Sequence, residues 1–404
     1  MGTLLPLLVF LLAATAPPPV SPTPAGKPSM RFEASAGPIS IPIEIAGSGL
    51  AFVRARVRDV EVWLLLNTVS PSVLSQHAAT RAGLEGEPGS LAVKGGESPI
   101  PVEVLREVTI QFPGAELAQP TISSFDLDPM QTALGHPIDG ILGIPFFESS
   151  VIAVDYGARR LELFDPERFR YSGKGQVIPI TREGGFPYAR ARLKLPHRGQ
   201  FDGDFLVDTG ADNAVRLFSP FVAGNRLLDP GAKTEAAEGE GSRLGAVLRG
   251  EELQWGRFRF RQPVVELSRS SQGLTADARH VGLVGGQILS RFRVIFDYAR
   301  ERMILEPNAR YGDPFLYDAS GVSLSAQGPD LATFEVRRVS PGSPAAQARL
   351  AVGDVLLAID GKPVKQITLQ GIRRLFQQDG KEYVLSIFRD GAIEKIHLKC
   401  RRLL

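Results

Sequence analysis

Two short loops in this sequence each follow an apolar run, and only one of them carries a residue that can exchange a proton. The run Phe205–Val207 leads into Asp208-Thr209-Gly210, and the run Leu64–Leu66 leads into Asn67-Thr68-Val69. The carboxylate of Asp208 can take a proton from water as a general base. The amide of Asn67 can hold a water by hydrogen bonds but cannot exchange a proton with it. The chemistry of a site built from both loops is therefore limited by the proton transfer that Asn67 cannot perform.

The two loops lie in a frame that the sequence repeats. Ile141–Gly143 follows the first loop, and Leu283–Gly285 follows the second loop at almost the same distance. An Asp-Tyr pair then follows each glycine at the same spacing, at Asp155 and Asp297. A repeated frame with consistent spacing indicates two copies of one module. Short β-branched runs between turn residues, with 42 Gly and 31 Pro in 404 residues, favour a β-rich structure.

Over about residues 36–310 this frame resembles the retropepsin-like and pepsin-like aspartic proteases, and it is most similar to bacterial secreted members with two lobes in one chain. The resemblance implies a mainly β fold with two tandem retropepsin-like lobes, lobe 1 at 36–170 and lobe 2 at 171–310. A pseudo-twofold axis would pass between the two loops. It also implies peptide-bond hydrolysis by a water held between two aspartates.

The resemblance assigns the catalytic positions of this chain to Asp208, Thr209 and Gly210, with Asn67 as a degenerate partner. Two close carboxylates share one proton, so that one acts as base and the other as acid. With Asn67 the acid is lost, which costs about 10²- to 10⁴-fold in rate, and Asp208 is expected to be ionised near neutrality. Val69 replaces the motif's glycine, and a β-branched residue is unfavourable where φ is positive. The glycine-rich segment 239–245 lies where a flap is expected.

The C-terminal part of the chain carries a second set of motifs. Ser343-Pro344 is typical of a helix start, Asp360-Gly361 of a tight turn between strands, and 368–378 has the apolar spacing of a helix with Thr368 as its N-cap. Together these residues resemble a PDZ domain of the bacterial protease-associated kind, covering about residues 315–404. The resemblance implies an α+β domain.

A PDZ domain binds an extended peptide as an added strand, between a sheet edge and a helix. The resemblance places a carboxylate-binding loop at Gly321-Val322-Ser323-Leu324 and a side-chain pocket along the helix, at Leu369 and Ile372. The expected partners are therefore peptide or protein segments and their C-termini. The alternative is that the domain only packs on the lobes or mediates assembly.

Composition narrows the function classes. A net charge of +2 without a block of Lys or Arg gives no reason to expect nucleic acid. The single cysteine, Cys400, excludes an intramolecular disulfide. The five histidines are scattered without metal-ligand spacing, so we expect neither a metal nor another cofactor.

The N-terminus predicts export. Leu4–Leu12 is apolar over the length of a signal peptide, and Ala14-Thr15-Ala16 has the form of a cleavage site, so residues 1–16 are predicted to be a signal peptide. The apolar run is too short to span a bilayer. The segment 17–35 is rich in Pro and Ser and is expected to be an extended tether. The mature chain is expected in the periplasm, at the cell surface or outside the cell.

Three functions remain open on the sequence. The first is a pseudo-protease, or a weak enzyme, that binds peptides. The second is an active aspartic endopeptidase that uses Asp208, either alone or by pairing second lobes between chains. The third is an adaptor that assembles through its PDZ domain.

Overall fold

The computed structural model describes residues 26–33, 38–91, 100–229 and 244–404. These residues form two units. Unit 1 contains the described residues up to Leu127, those from Ile138 to Asp229, and those from Leu244 to Pro314. Unit 2 contains Asp128–Pro137 and Phe315–Leu404. The segment 128–137 therefore belongs to unit 2, although it interrupts the sequence of unit 1.

Unit 1 is mainly β, as predicted, because its apolar residues alternate with polar ones or form short buried runs. Its strands are β1 (Ser29–Phe32), β2 (Ile39–Ala46), β3 (Leu50–Val57), β4 (Val60–Leu66), β5 (Val73–Ser75), β6 (Glu87–Leu91), β7 (Ile100–Phe112), β8 (Ala115–Phe125), β9 (Gly140–Leu142), β10 (Val151–Asp155), β11 (Arg160–Phe164), β12 (Gln176–Pro179), β13 (Thr181–Glu183), β14 (Phe186–Leu195), β15 (Gly199–Val207), β16 (Val215–Leu217), β17 (Leu244–Arg249), β18 (Glu252–Trp255), β19 (Phe258–Arg261), β20 (Val264–Ser268), β21 (Gly282–Val284), β22 (Phe292–Asp297) and β23 (Arg302–Pro307).

The helices of the described residues are short. They are α1 (Gln76–Arg81), α2 (Asp128–Leu134), α3 (Ile144–Ser149), α4 (Ser219–Gly224), α5 (Gly286–Leu289), α6 (Pro344–Gln347) and α7 (Leu369–Leu375). Single 3₁₀ turns occur at Leu274–Ala276, Tyr298–Arg300 and Val364–Gln366. The part of the chain that the structure describes has no helix long and apolar enough to cross a membrane.

The same crossing of strands occurs in both lobes of unit 1. In lobe 1, β4 runs parallel to β9, with Leu66 opposite Leu142. In lobe 2, β15 runs parallel to β21, with Val207 opposite Val284. A third strand pairs antiparallel with the other edge of β9 in lobe 1 and of β21 in lobe 2. This third strand is β5 in lobe 1 and β16 in lobe 2. This common register confirms the duplication that the repeated frame predicts.

The two copies meet through the strands that carry the Asp-Tyr pairs. β10 of lobe 1 pairs antiparallel with β22 of lobe 2, so that Ile152 faces Phe296 and Val154 faces Val294. Because Val154 corresponds to Phe296 in the repeat, exchanging the two copies reproduces this pairing. The lobes are therefore joined across a local pseudo-twofold axis within one continuous sheet.

The larger of the two sheets of unit 1 begins earlier in the chain than the composition indicates. β1 lies within the segment 17–35, which the sequence predicts to be a tether, and it pairs antiparallel with β8 from Ser29 opposite Ala118 to Phe32 opposite Ala115. The predicted signal peptide at 1–16, and the tether up to residue 25, lie outside the described residues.

Unit 2 has the α+β architecture that the PDZ resemblance implies. Its strands follow the sheet order β24 (Val322–Gln327), β25 (Thr333–Val339), β26 (Val355–Ile359), β28 (Glu382–Arg389) and β29 (Ala392–Lys399), and β27 (Lys362–Pro363) pairs with β26. Residues of these strands and of α6 and α7 enclose one apolar core.

The predicted local signals of unit 2 are confirmed. The Ser343 hydroxyl accepts a hydrogen bond from the Ala346 N–H (3.2 Å) at the start of α6. The Thr368 hydroxyl accepts one from the Gly371 N–H (3.1 Å) at the start of α7. Asp360-Gly361 has positive φ at both residues, as a type I′ hairpin turn requires. Helix α7 ends at Leu375, three residues before the predicted end.

Candidate functional site

Each of the two loops leaves its strand at the same point of the crossing. The Asn67 N–H donates to the carbonyl of Leu142 (2.9 Å), and the Asp208 N–H donates to the carbonyl of Val284 (3.0 Å). These bonds extend the parallel ladders by one residue, so that residues 67 and 208 start the loops in equivalent geometry. The apolar residues that precede each loop thus set the direction in which its functional side chain emerges.

Thr68 and Thr209 lock the loops together. The Thr68 N–H donates to Thr209 Oγ1 and the Thr209 N–H donates to Thr68 Oγ1, both at 3.1 Å. The Thr68 hydroxyl then donates to the carbonyl of Val207 (2.6 Å), and the Thr209 hydroxyl donates to the carbonyl of Leu66 (3.0 Å). Both threonines are fully buried. The structure therefore brings together the sequence-predicted site residues of the two lobes.

Asn67 and Asp208 use their side chains in the same way. Asn67 Oδ1 accepts a hydrogen bond from the N–H of Val69 (2.9 Å), and Asp208 Oδ1 accepts one from the N–H of Gly210 (2.8 Å). Asn67 is 4% exposed and Asp208 is 3% exposed. The amide of Asn67 lies directly against Gly210, the residue whose N–H holds Asp208. The acid of lobe 2 and the amide of lobe 1 thus both contact Gly210.

Gly210 and Val69 need a correction to the sequence-based expectation. Neither residue has positive φ, so the strain expected at Val69 is absent. The reason for glycine at 210 is a close approach, because a Cβ there would collide with the Asn67 amide. Val69 is 4% exposed, and its side chain packs into an apolar cluster of lobe 2. The members of that cluster are Phe186, Tyr188, Leu206, Ala211, Phe218, Leu274 and Leu283.

The protonation of Asp208 is governed by its burial. Burial raises the pKa of Asp208 to about 6, against the lowering effects of the Gly210 N–H, the charge of Arg216 and the Ala211 N–H. Asp208 is therefore mainly ionised at neutral pH, as expected, but it takes up its proton well above the usual range of an aspartate. Loss of the partner charge by itself predicts an ordinary aspartate pKa, and desolvation is what raises it.

The tyrosines of the two Asp-Tyr pairs lie near Asp208, although the sequence analysis assigned them no role. Tyr156 and Tyr298 follow the aspartates of the repeated frame, and both are buried. Among the described residues neither hydroxyl has a hydrogen-bond partner. Burial is the main cause that raises the pKa of each tyrosine, and the charge of Asp208 raises both further. Both hydroxyls therefore keep their protons at neutral pH. Recurrence of Tyr after Asp in each copy was the signal that could have identified them.

In the carboxylate-binding loop predicted in unit 2, backbone N–H groups already donate hydrogen bonds to side chains of the same unit. Gly321 has φ +76°, and its N–H donates to the carboxylate of Asp318 (2.5 Å). The same carboxylate accepts from the N–H of Ser320 (3.0 Å), while the Val322 N–H donates to the Ser320 hydroxyl (3.1 Å). The N–H groups of Gly321 and Val322, expected to face a peptide's terminal carboxylate, thus bind internal oxygens.

The remaining residues predicted for the PDZ groove are mostly covered. Ser323 and Leu324 lie in β24, where the pairing with β25 shifts by one residue. Leu324 is 5% exposed, Leu369 is 1% exposed and Ile372 is 0% exposed, and all three belong to the core of unit 2. The predicted pocket is therefore closed by residues of unit 2 itself.

Two further expectations concern a flap and a metal. Residues 239–243 of the predicted flap lie outside the described residues, and Gly245 lies in β17. Within the described ranges, no group of three or more His, Cys, Asp or Glu side chains is placed to hold a metal ion.

Comparisons with known proteins agree with both parts of this architecture. Residues 53–146 match the family model described as aspartyl protease, and residues 335–387 match the model described as PDZ domain. An aspartyl-protease-like domain and a PDZ domain are therefore both present. The match to the protease family covers lobe 1, the copy that carries Asn67.

The other comparisons add little. The comparison with curated proteins gave no match. Among solved structures, conglutin gamma, a basic 7S globulin from lupine seeds, is similar with 14% identity and a TM-score of 0.41, over 71% of this chain and 98% of that chain. So loose a likeness carries no argument about fold or activity.

Thr209→Val should destabilise unit 1 by about 2–5 kcal/mol, because it leaves the buried Thr68 N–H without its acceptor and the Leu66 carbonyl without this donor. Thr209→Ser keeps the hydroxyl and should cost only about 1 kcal/mol. The measurement is denaturant unfolding followed by tryptophan fluorescence, since Trp63 and Trp255 both lie in unit 1. Equal losses in the two variants would contradict the role given to the hydroxyl.

Asp208→Asn should stabilise unit 1 above pH 6 and leave its stability unchanged at about pH 4. The folded state holds the Asp208 proton more tightly than the unfolded chain, so its stabilising effect is complete below pH 3.8 and is lost as the pH rises to about 6. The expected gain at neutral pH is at most about 3 kcal/mol. Unfolding free energies across this range test it, with Asp59→Asn in an exposed turn as the control for charge removal.

Proposed function

We propose that this chain binds peptide segments where the two loops of unit 1 meet, and that it does not hydrolyse them efficiently. The observation that carries the proposal is the equivalence of Asn67 and Asp208. Each side-chain oxygen accepts the N–H two residues further on, in loops locked by the same threonine exchange. Equivalent positions of the two loops thus carry an acid and an amide, which supports a two-acid frame with one acid replaced.

The missing acid limits hydrolysis for a specific reason. Attack by water on a peptide carbonyl needs a base for the water and an acid that polarises the carbonyl oxygen at the same time. Asp208, with a pKa of about 6, can supply either role but not both in one step. Asn67 can donate a hydrogen bond through its amide, yet it cannot pass a proton to the leaving nitrogen.

Binding has fewer requirements than hydrolysis, and the structure supports it. Asn67 offers both a donor and an acceptor, which suits a peptide group. The buried threonines, Gly210 and the packed side chain of Val69 hold both loops in place without a second carboxylate. A preformed site loses little conformational entropy when a peptide binds.

Hydrolysis by Asp208 is the second candidate, and one observation favours it. A general base works best when its pKa lies near the working pH, and the pKa of Asp208 is about 6. Under this alternative the wild-type chain would cleave peptides near neutral pH, and Asp208→Ala would abolish all cleavage.

Export and adaptor function are separate proposals. The apolar run Leu4–Leu12 and the site Ala14-Thr15-Ala16 support export to the periplasm, the cell surface or the medium. An adaptor that captures C-termini through its PDZ domain has less support, because Asp318 would repel a terminal carboxylate from the loop at Gly321.

Asn67→Asp tests the proposal directly. The new carboxylate can accept the Val69 N–H as Asn67 does, and beside Asp208 it should share one proton. We expect proteolysis with an acid optimum, at least about 10²-fold above wild type. The assay is digestion of casein and of a peptide library from about pH 3 to about pH 8, with inhibition by a pepstatin-type compound. Val69 should be kept, because Val69→Gly would open a cavity in the lobe 2 cluster.

The controls separate the two candidates. Wild-type cleavage that disappears in Asp208→Ala would establish the active enzyme and exclude the pseudo-protease. If the Asn67→Asp protein is folded but shows no gain in proteolysis, the missing acid is not the only reason for low activity, and this part of the proposal is excluded. Peptide binding by wild-type chain, measured with library peptides that it leaves uncut, completes the test of the proposal.

A further inference from the structure

The segment 128–137 is integrated into unit 2, far along the chain from the rest of that unit. Helix α2 packs against β24, which forms the edge of the unit 2 sheet in the described residues. Met130 is 3% exposed and Leu134 is 8% exposed, so the apolar side of α2 is buried. In a PDZ domain, the sheet edge and the helix corresponding to β24 and α7 form the peptide groove. Helix α2 therefore lies on one wall of this groove.

The other wall, helix α7, holds the C-terminal end of α2. Arg373 Nη2 donates to the carbonyl of Ala133 (2.8 Å), and Gln370 Nε2 donates to the carbonyl of Leu134 (3.0 Å). Carbonyls in the last turn of a helix lack partners within the helix, and a cation there also interacts favourably with the helix dipole. Arg373 Nη2 further donates to the carbonyl of Leu324 in β24 (3.3 Å). One guanidinium thus joins both walls of the groove to α2.

Gly135 fits this position because it follows α2 with φ +60° and lies tightly against Leu369 of α7. A Cβ at residue 135 would come within 2.6 Å of Leu369 Cβ. A larger residue would face both backbone strain and a steric clash. The turn after α2 thus approaches α7 as closely as a glycine allows.

We propose that the groove between β24 and α7 has the segment 128–137 as its resident ligand, recognised through the last carbonyls of a helix. An external peptide must displace this segment before it reaches the groove. The carboxylate of Asp318 accepts the Gly321 N–H, so the predicted carboxylate-binding loop beside the groove is also occupied by a residue of unit 2. This inference does not depend on whether unit 1 hydrolyses peptides or only binds them.

Hydrogen exchange of the full chain tests the anchoring. Arg373→Ala should accelerate amide exchange in residues 130–136 by about tenfold, because it removes a charged hydrogen bond from the end of α2. Arg374→Ala is the matched control, since it removes the same charge from the exposed neighbouring position of α7. Equal exchange of this segment in the two variants would overturn the proposal.

A second measurement uses the segment itself as the probe. Gly135→Val should release the resident segment and leave every groove residue of 315–404 unchanged. A fluorescent, amidated peptide with the wild-type sequence of residues 126–138 should then bind the Gly135→Val chain at least about tenfold more tightly than wild type. Equal affinity for both chains, or no binding by a folded Gly135→Val chain, would show that the segment is not the ligand of this groove.

Discussion

Thr68 and Thr209 each carry one hydroxyl that accepts the other loop's N–H and donates to a carbonyl at the end of the other lobe's strand. Both residues are fully buried, so a lost bond would leave a polar group unpaired away from water. Neither threonine is satisfied until both lobes have folded and met. Residues 67 and 208 are therefore placed jointly, whatever side chains they carry. This dependence explains how an amide can lie in a frame that suits an acid.

The same constraint shows what the chain gains by carrying Asn67. Burial, partly offset by Arg216 and by the Gly210 and Ala211 N–H groups, raises the pKa of Asp208 to about 6, so the ionised form is already disfavoured there. A second carboxylate against Gly210 would add repulsion and its own desolvation. Asn67 keeps the hydrogen bond to the Val69 N–H without either cost. An amide at residue 67 therefore costs less folding stability than a second carboxylate would.

Spacing and turn residues were enough to predict two copies of one module and the helix starts at Ser343 and Thr368, because each depends on a local pattern that occurs twice or has a known cap. The environment of Asp208 was not predictable in this way, since its burial is a tertiary property. Capture of the Gly321 N–H by Asp318 was missed because a loop motif does not show which carboxylate fills it. The apolar spacing of α2 does not indicate that this helix packs against β24, a strand that lies about two hundred residues later in the sequence.

The segment 128–137 of unit 2 lies directly before a strand of unit 1 in the chain. Ile138 leads directly into Asp139, whose carboxylate accepts the Trp63 N–H (2.9 Å) and whose own N–H donates to the Trp63 carbonyl (2.8 Å). Trp63 lies in β4, the strand that ends at Leu66 just before Asn67, and β9 follows Asp139 immediately. The segment is thus continuous in sequence with β9, whose Leu142 carbonyl accepts the Asn67 N–H.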